Sequence, residues 1–236
     1  MAEPFYRRTL ARLVEQGTLS LTDEILVACG GPVDRDTLAD LGFTNAVITN
    51  LDERMLGNEY APYQWRREDA ETLQQPDDSV DWGLVHHGLH HCASPHRAFA
   101  ELLRVGRKGA IVFEARDSLT VRAATRLGLV EEYEVTAVAA NQGRWGGVRN
   151  GPVPNHVYRW TEREVRKTVR SLMPTHDHDI RFSYAVRVPT ERLGGGRLVR
   201  AAELVAPIVE HIAPRQGNEF AFVVVKNVRP KPWLSV

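Results

Sequence analysis

Short apolar runs alternating with helical segments predict an α/β fold, a mostly parallel sheet covered by helices on both faces. Three stretches carry that expectation. Residues 24–52, EILVACGGPVDRDTLADLGFTNAVITNLD, read as strand, Gly-rich turn, helix and strand, the opening βαβ unit of a nucleotide-type binding fold. VDWGLV at 80–85 runs into HHGLHH and then SPHRAFAELL, where Ser94 supplies an N-cap and Pro95 a first helical residue. GAIVFEAR at 109–116 is a further apolar strand.

The elements follow in order. Residues 4–16 form an N-terminal helix with Leu10, Leu13 and Val14 on one stripe. Core strands fall at 24–28, 46–50, 64–67, 80–86 and 109–116. Residues 131–160 then lose periodicity in the Gly- and Asn-rich AVAANQGRWGGVRNGPVP, expected as a lid-like insertion, since long loops inside compact domains are usually functional or disordered. Asn141, Arg144 and Trp145 belong to that lid by position. Thr161-Glu162-Arg163-Glu164 is a capping box opening a helix to about residue 172. THDHD at 175–179 reads as a polar loop, and strands at 181–189 and 220–227 flank a helix over 198–212. The whole of 1–236 reads as a single domain without internal repeats.

Composition narrows the function. Lys plus Arg number 30 and Asp plus Glu 30, so no basic excess points to nucleic acid. No apolar run reaches the roughly 20 residues of a membrane span, and the N-terminus lacks a signal peptide's apolar core. The 2 cysteines give no disulfide framework, so a reducing, cytoplasmic setting is expected. A packed thiol is the simpler reading of Cys29.

The chemistry begins at Cys29-Gly30-Gly31-Pro32. Glycine suits a turn where a ligand lies against the backbone. Asp52 lies 52 − 31 = 21 residues beyond Gly31, close to the roughly 20-residue spacing at which an acid accepts from a ribose diol. A nicotinamide dinucleotide is disfavoured. Only the middle glycine of a G-x-G-x-G frame survives, between Cys29 and Val33, and Asp34 and Asp36 would repel a pyrophosphate. An adenosine-containing cofactor without phosphate fits better.

Taken in order, DAETL (69–73), PDDSVDWGLV (76–85), HHGLHH (86–91) and SPHRAFAELLRVGRKGAIVFE (94–114) resemble class I S-adenosyl-L-methionine (SAM)-dependent methyltransferases. The nearest type is the small-molecule methyltransferase domain of ubiquinone and menaquinone biosynthesis. The resemblance covers 26–114 well and 160 to the end more loosely. It implies a Rossmann-like, seven-stranded, mostly parallel sheet with an antiparallel last strand. It further implies that Cys29, Gly30 and Gly31 line the methionine and ribose side of the cofactor, and that Asp69 and Ala70 hold the adenine. Asp52, with Asn50 as a second ligand, would hold the ribose. His86 would sit beside the sulfonium, and Tyr6 would close over the cofactor from the N-terminal helix.

The implied reaction is methyl transfer to an oxygen or nitrogen of a small-molecule acceptor, with S-adenosyl-L-homocysteine (SAH) as product. Histidine is the usual general base near neutral pH. His86, His87, His90 and His91 are the catalytic candidates, with His156 in the lid beside them. His87 and His91 would share a face if helical, yet no third ligand follows at a fixed spacing, so no metal is expected. Asp81 reads as structural, and Glu114, in an apolar strand, should either reach an arginine or point into the crevice. Tyr158 and Trp160 suit a pocket roof or the core equally. A homodimer is one assembly open to such a chain. The alternative functions are a SAM-binding fold with non-methylating chemistry and a non-catalytic binding module.

Overall fold

The computed structural model describes residues 4–188, 196–227 and 229–235. Its strands are β1 (Ile25–Ala28), β2 (Ala46–Asn50), β3 (Gln64–Arg67), β4 (Val80–His86), β5 (Gly106–Ala115), β6 (Asp179–Ala185) and β7 (Glu219–Val225). They form one seven-stranded sheet in the order β3-β2-β1-β4-β5-β7-β6. Neighbours are parallel except at β7, which runs against both β5 and β6. The order reverses between β1 and β4, so a crevice opens beyond the carboxyl ends of those strands.

The apolar runs explain why the sheet is central. Every residue of β1 is buried, as parallel strands covered on both faces require. Helices α1 (Pro4–Glu15) and α2 (Pro32–Leu41) cover one face, packing Tyr6, Leu10, Leu13 and Leu38 with Trp82 and Phe113. Helices α3 (Pro95–Val105) and α6 (Glu162–Leu172) cover the other, where Phe99, Trp160 and Phe222 pack edge to face or tilted. Trp160 is therefore core, not a pocket roof. Ser94 caps α3 by accepting from the Arg97 N–H at 3.3 Å, and Thr161 caps α6 by accepting from Glu164 at 3.2 Å. The reciprocal half of that capping box is diverted, because the Glu164 carboxylate takes the Tyr158 hydroxyl instead.

Several boundaries differ from the sequence reading. β5 begins at Gly106, before an irregularity in its pairing with β4. The conformation at Gly109, φ 144°, excludes a side chain. β6 spans Asp179–Ala185 rather than 181–189; residues 186–188 leave the ladder and Pro189 lies outside the described residues. Helices α4 (Leu119–Arg126) and α5 (Val135–Ala140) were not anticipated, and α5 lies inside the loop expected at 131–160. The last helix, α7 (Arg197–Ile212), begins one residue early. No described helix is long and apolar enough to cross a membrane.

Candidate active site

The turn after β1 is built by backbone geometry. Cys29 has φ 53°, a left-handed conformation that costs a side-chain-bearing residue about 1–2 kcal/mol and glycine almost nothing. Gly30 donates its N–H to the Thr49 carbonyl at 2.8 Å. A Cβ there would lie 2.7 Å from Ile48 Cγ2 and 2.9 Å from Val27 Cγ1. Packing against β2, and not ligand approach, therefore requires this glycine. Gly31 caps α2, its N–H donating to Asp34 Oδ2 at 2.8 Å, and a Cβ there would meet nothing within 4 Å. Asn50 ties the turn to the end of β2. Its Nδ2 donates to the Gly30 carbonyl at 2.8 Å and its Oδ1 accepts from the Asp52 N–H at 3.0 Å.

A cleft of about 190 Å³ opens beyond β1, β2 and β4, walled by Cys29, Asn50, Asp52, Asp69, Ala70 and His87. Gly147, Arg149 and Asn150 reach it from the lid. Asp52 is buried and accepts from Arg54 Nη2 at 2.6 Å, which holds its carboxyl below the usual range. Arg54 also donates to Asn141 Oδ1 at 3.1 Å and lies 4.6 Å from the Trp145 ring, pinning the lid to β2. Arg149 Nη2 sits 2.6 Å from Asp69 Oδ2 and its Nη1 3.7 Å from Glu71. Nothing in the sequence singled out Arg149, because its loop has no periodicity.

The histidines divide among three settings. His86, at the end of β4, stacks on Tyr6 with ring centroids 4.1 Å apart and planes 7° apart. Its Nδ1 is 3.9 Å from Asp34. Burial raises the Asp34 carboxyl, and burial with the nearby Asp34 raises the Tyr6 hydroxyl. Tyr6, Gly30, Gly31 and His86 are thus gathered under the cleft, while Cys29, Asn50, Asp52, Asp69 and Ala70 line it. His87 has φ 51°, the kind of backbone strain that clusters at functional sites. Its Nε2 is 2.9 Å from Glu219 Oε2. Burial alone would lower the His87 pKa, but Glu219 outweighs it and the net shift is upward.

His90 is buried, with Nδ1 2.8 Å from Glu114 Oε2 and Nε2 3.4 Å from Glu134 Oε1. Against burial, the two carboxylates push its pKa up to about 10. Glu114 is fully buried and also accepts the Leu89 N–H at 2.7 Å, so its partner is a histidine and not an arginine. His91 Nε2 lies 3.6 Å from Glu134 Oε2. Residues 89–91 form a 3₁₀ turn, so His87 and His91 do not share an α-helical face. His156 is exposed, with its Nε2 4.0 Å from Glu132 Oε1, apart from these groups. Asp81 accepts the Glu24 N–H at 3.0 Å, a structural link between β1 and β4.

A second cavity of about 320 Å³ lies on the far side of His87, walled by His87, His90, Val121, Glu134, Arg159 and Glu219. His87 is common to both cavities.

Residues 25–113 match the family model described as a methyltransferase domain. No curated protein matches the sequence. Solved structures share the fold at low identity. A SAM-dependent methyltransferase from Thermotoga maritima, described as a possible histamine N-methyltransferase, is 16% identical, with 92% of this chain and 89% of that one covered and a TM-score of 0.52. The magnesium protoporphyrin IX methyltransferase of Synechocystis, solved with bound SAH, is 13% identical over 94% of this chain and 82% of that one, with a TM-score of 0.56. A SAM-dependent methyltransferase from Mesorhizobium loti is 15% identical over 92% and 98%, with a TM-score of 0.55. Residues 25–113 thus match a methyltransferase domain, and the chain has the fold of class I SAM-dependent methyltransferases. The ubiquinone-type subclass is compatible with these matches without being singled out by them.

The cleft carries groups that could hold an S-adenosyl cofactor. The buried Asp52 and the nearly buried Asp69, each paired with an arginine, could offer acceptor oxygens to a ribose diol and an exocyclic amine.

Proposed function

We propose that the chain transfers a methyl group from SAM to an oxygen or nitrogen of a small polar acceptor held in the second cavity. The observation that carries this reading is the position of His87, which faces both cavities and is backed by Glu219 at 2.9 Å. Asp69 and the Ala70 amide would hold the adenine, Asp52 the ribose, and the β1 turn the methionine side. The cofactor supplies an activated methyl on a sulfonium.

The protein's own part is positioning, exclusion of water and removal of one proton. With Nε2–H donated to Glu219, neutral His87 keeps Nδ1 as the proton acceptor. The acceptor's O–H or N–H proton passes there, and Glu219 stabilises the imidazolium that results. His86 is a positioning residue: Tyr6 and Phe113 fix its ring and so the end of β4 from which His87 projects. Glu134, Glu219 and Arg159 around the second cavity favour an acceptor carrying polar or charged groups, and the balanced net charge argues against a nucleic-acid substrate.

The test supplies SAM labelled in its methyl group with panels of small hydroxyl and amine acceptors. Label should appear on an acceptor with the wild type. In His87→Asn, transfer should fall by about 10²–10⁴-fold, the usual contribution of a general base, while SAH affinity is retained. Unimpaired transfer by the variant would remove His87 from the mechanism.

A further inference from the structure

We propose that His90, His91 and Glu134 form a binding site for one divalent transition-metal ion, with zinc the best match, at the junction of the two cavities. One ligand atom from each residue lies within 4.8 Å of the others, the one such group among the described residues. His90 Nε2 stands 3.4 Å from Glu134 Oε1, and His91 Nε2 stands 3.6 Å from Glu134 Oε2. Zinc bonds of about 2.0–2.2 Å in a tetrahedron place ligand atoms roughly 3.3–3.6 Å apart. An octahedral magnesium ion with bonds of about 2.0–2.1 Å would need roughly 2.8–3.0 Å between adjacent ligands. The two histidine–carboxylate spacings, one to each oxygen of Glu134, are nearer the tetrahedral value, and the two imidazole nitrogens suit zinc better than magnesium.

The groups behind these ligands are those of a built site. A metal-bound histidine almost always donates its other ring N–H to a carboxylate or carbonyl, which fixes tautomer and ring orientation. His90 does so through Nδ1 to Glu114 at 2.8 Å, and Glu114 is itself held by the Leu89 N–H at 2.7 Å. Glu134 is held by Asn155 Nδ2 at 3.2 Å. Two imidazoles and one carboxylate leave a tetrahedral zinc one position for water or for a substrate heteroatom. Access exists from both sides, since His91 lines the cofactor cleft while His90 and Glu134 line the second cavity.

The site does not depend on the methyl-transfer reading, and its test reads metal directly. The tag-free chain is stripped with chelator, loaded with zinc, dialysed and assayed for metal by plasma mass spectrometry; affinity is measured by titration with zinc chloride. One zinc per chain is expected, with visible cobalt(II) bands of tetrahedral type on substitution. His91→Ala and Glu134→Gln should each weaken zinc binding by about tenfold or more, and Glu114→Gln by about 10–100-fold. His176→Ala, in the other histidine-rich segment, should leave it unchanged. Thermal melts confirm folding of each variant, and SAH titration of the same samples reads the cofactor cleft separately. No retained zinc, or retention unaffected in folded His91→Ala and Glu134→Gln, overturns the proposal, as does loss of zinc on His176→Ala.

Discussion

Replacing Asp69 by alanine probes the cofactor cleft where two interactions compete. A hydrogen bond to a charged group contributes about 1.5–3 kcal/mol, so the cofactor's amine should gain that much from the Asp69 carboxylate. The carboxylate already has a partner, however: Arg149 lies 2.6 Å away with its side chain 54% exposed. An exposed ion pair is worth about 0.2–1 kcal/mol, and the amine must displace it. The difference leaves roughly 0.5–2.8 kcal/mol, or about a 2- to 110-fold loss of SAH affinity in Asp69→Ala. The same argument fixes the sign for Arg149→Ala: removing the competitor should strengthen SAH binding by about 1.4- to 5-fold. Calorimetric titration with SAH measures both. Unchanged affinity in Asp69→Ala would refute the adenine assignment, and weakened binding in Arg149→Ala would make that arginine a cofactor ligand and not a competitor.

The remaining predictions concern proton transfer and packing. His87 must be neutral to act as base, and its pKa is raised by Glu219 against the effect of burial, so kcat/KM should rise with pH through a midpoint above the ordinary 6.5. Glu219→Gln should move that midpoint down; a profile unmoved by the substitution would exclude the pair. Because the folded pKa is the higher one, the pair's contribution to stability is complete below pH 6.5 and is lost as pH rises through the folded value. Denaturant melts should therefore show the Glu219→Gln deficit to be largest at low pH. Gly30→Ala drives a Cβ to 2.7 Å from Ile48 and should cost about 1–3 kcal/mol in a urea melt, whereas a neutral effect would contradict the packing argument.

The parts of the site that were legible follow from parallel-sheet topology. Asn50, Asp52, Asp69 and His87 sit just beyond successive parallel strands, and such ends must converge once the strand order is known. Strand ends alone do not fix where His86 points, nor does the N-terminal helix fix Tyr6. Being near a strand end does not say whether a side chain faces the crevice or the helical layer, and His86 stacks on the buried Tyr6 of α1. Gly30 was read as a ligand-facing glycine, although its neighbour across the sheet, Ile48, sets the requirement. The partners of the histidines were out of reach for a different reason. Glu219 meets His87 across 132 residues because β7 inserts antiparallel beside β5, and Glu134 arrives from a loop whose six-residue helix is too short to show a period. Arg149 likewise enters the cleft from irregular backbone.

The central claim is that the cleft beyond β1 and β2 holds the S-adenosyl cofactor with His87 at its reactive end. A crystal structure of the chain grown with SAH tests it most directly. The account predicts adenine against Asp69 and Ala70, ribose on Asp52, and Arg149 displaced from Asp69. SAH bound in the second cavity instead, or density that leaves Asp52 and Asp69 untouched, would contradict it.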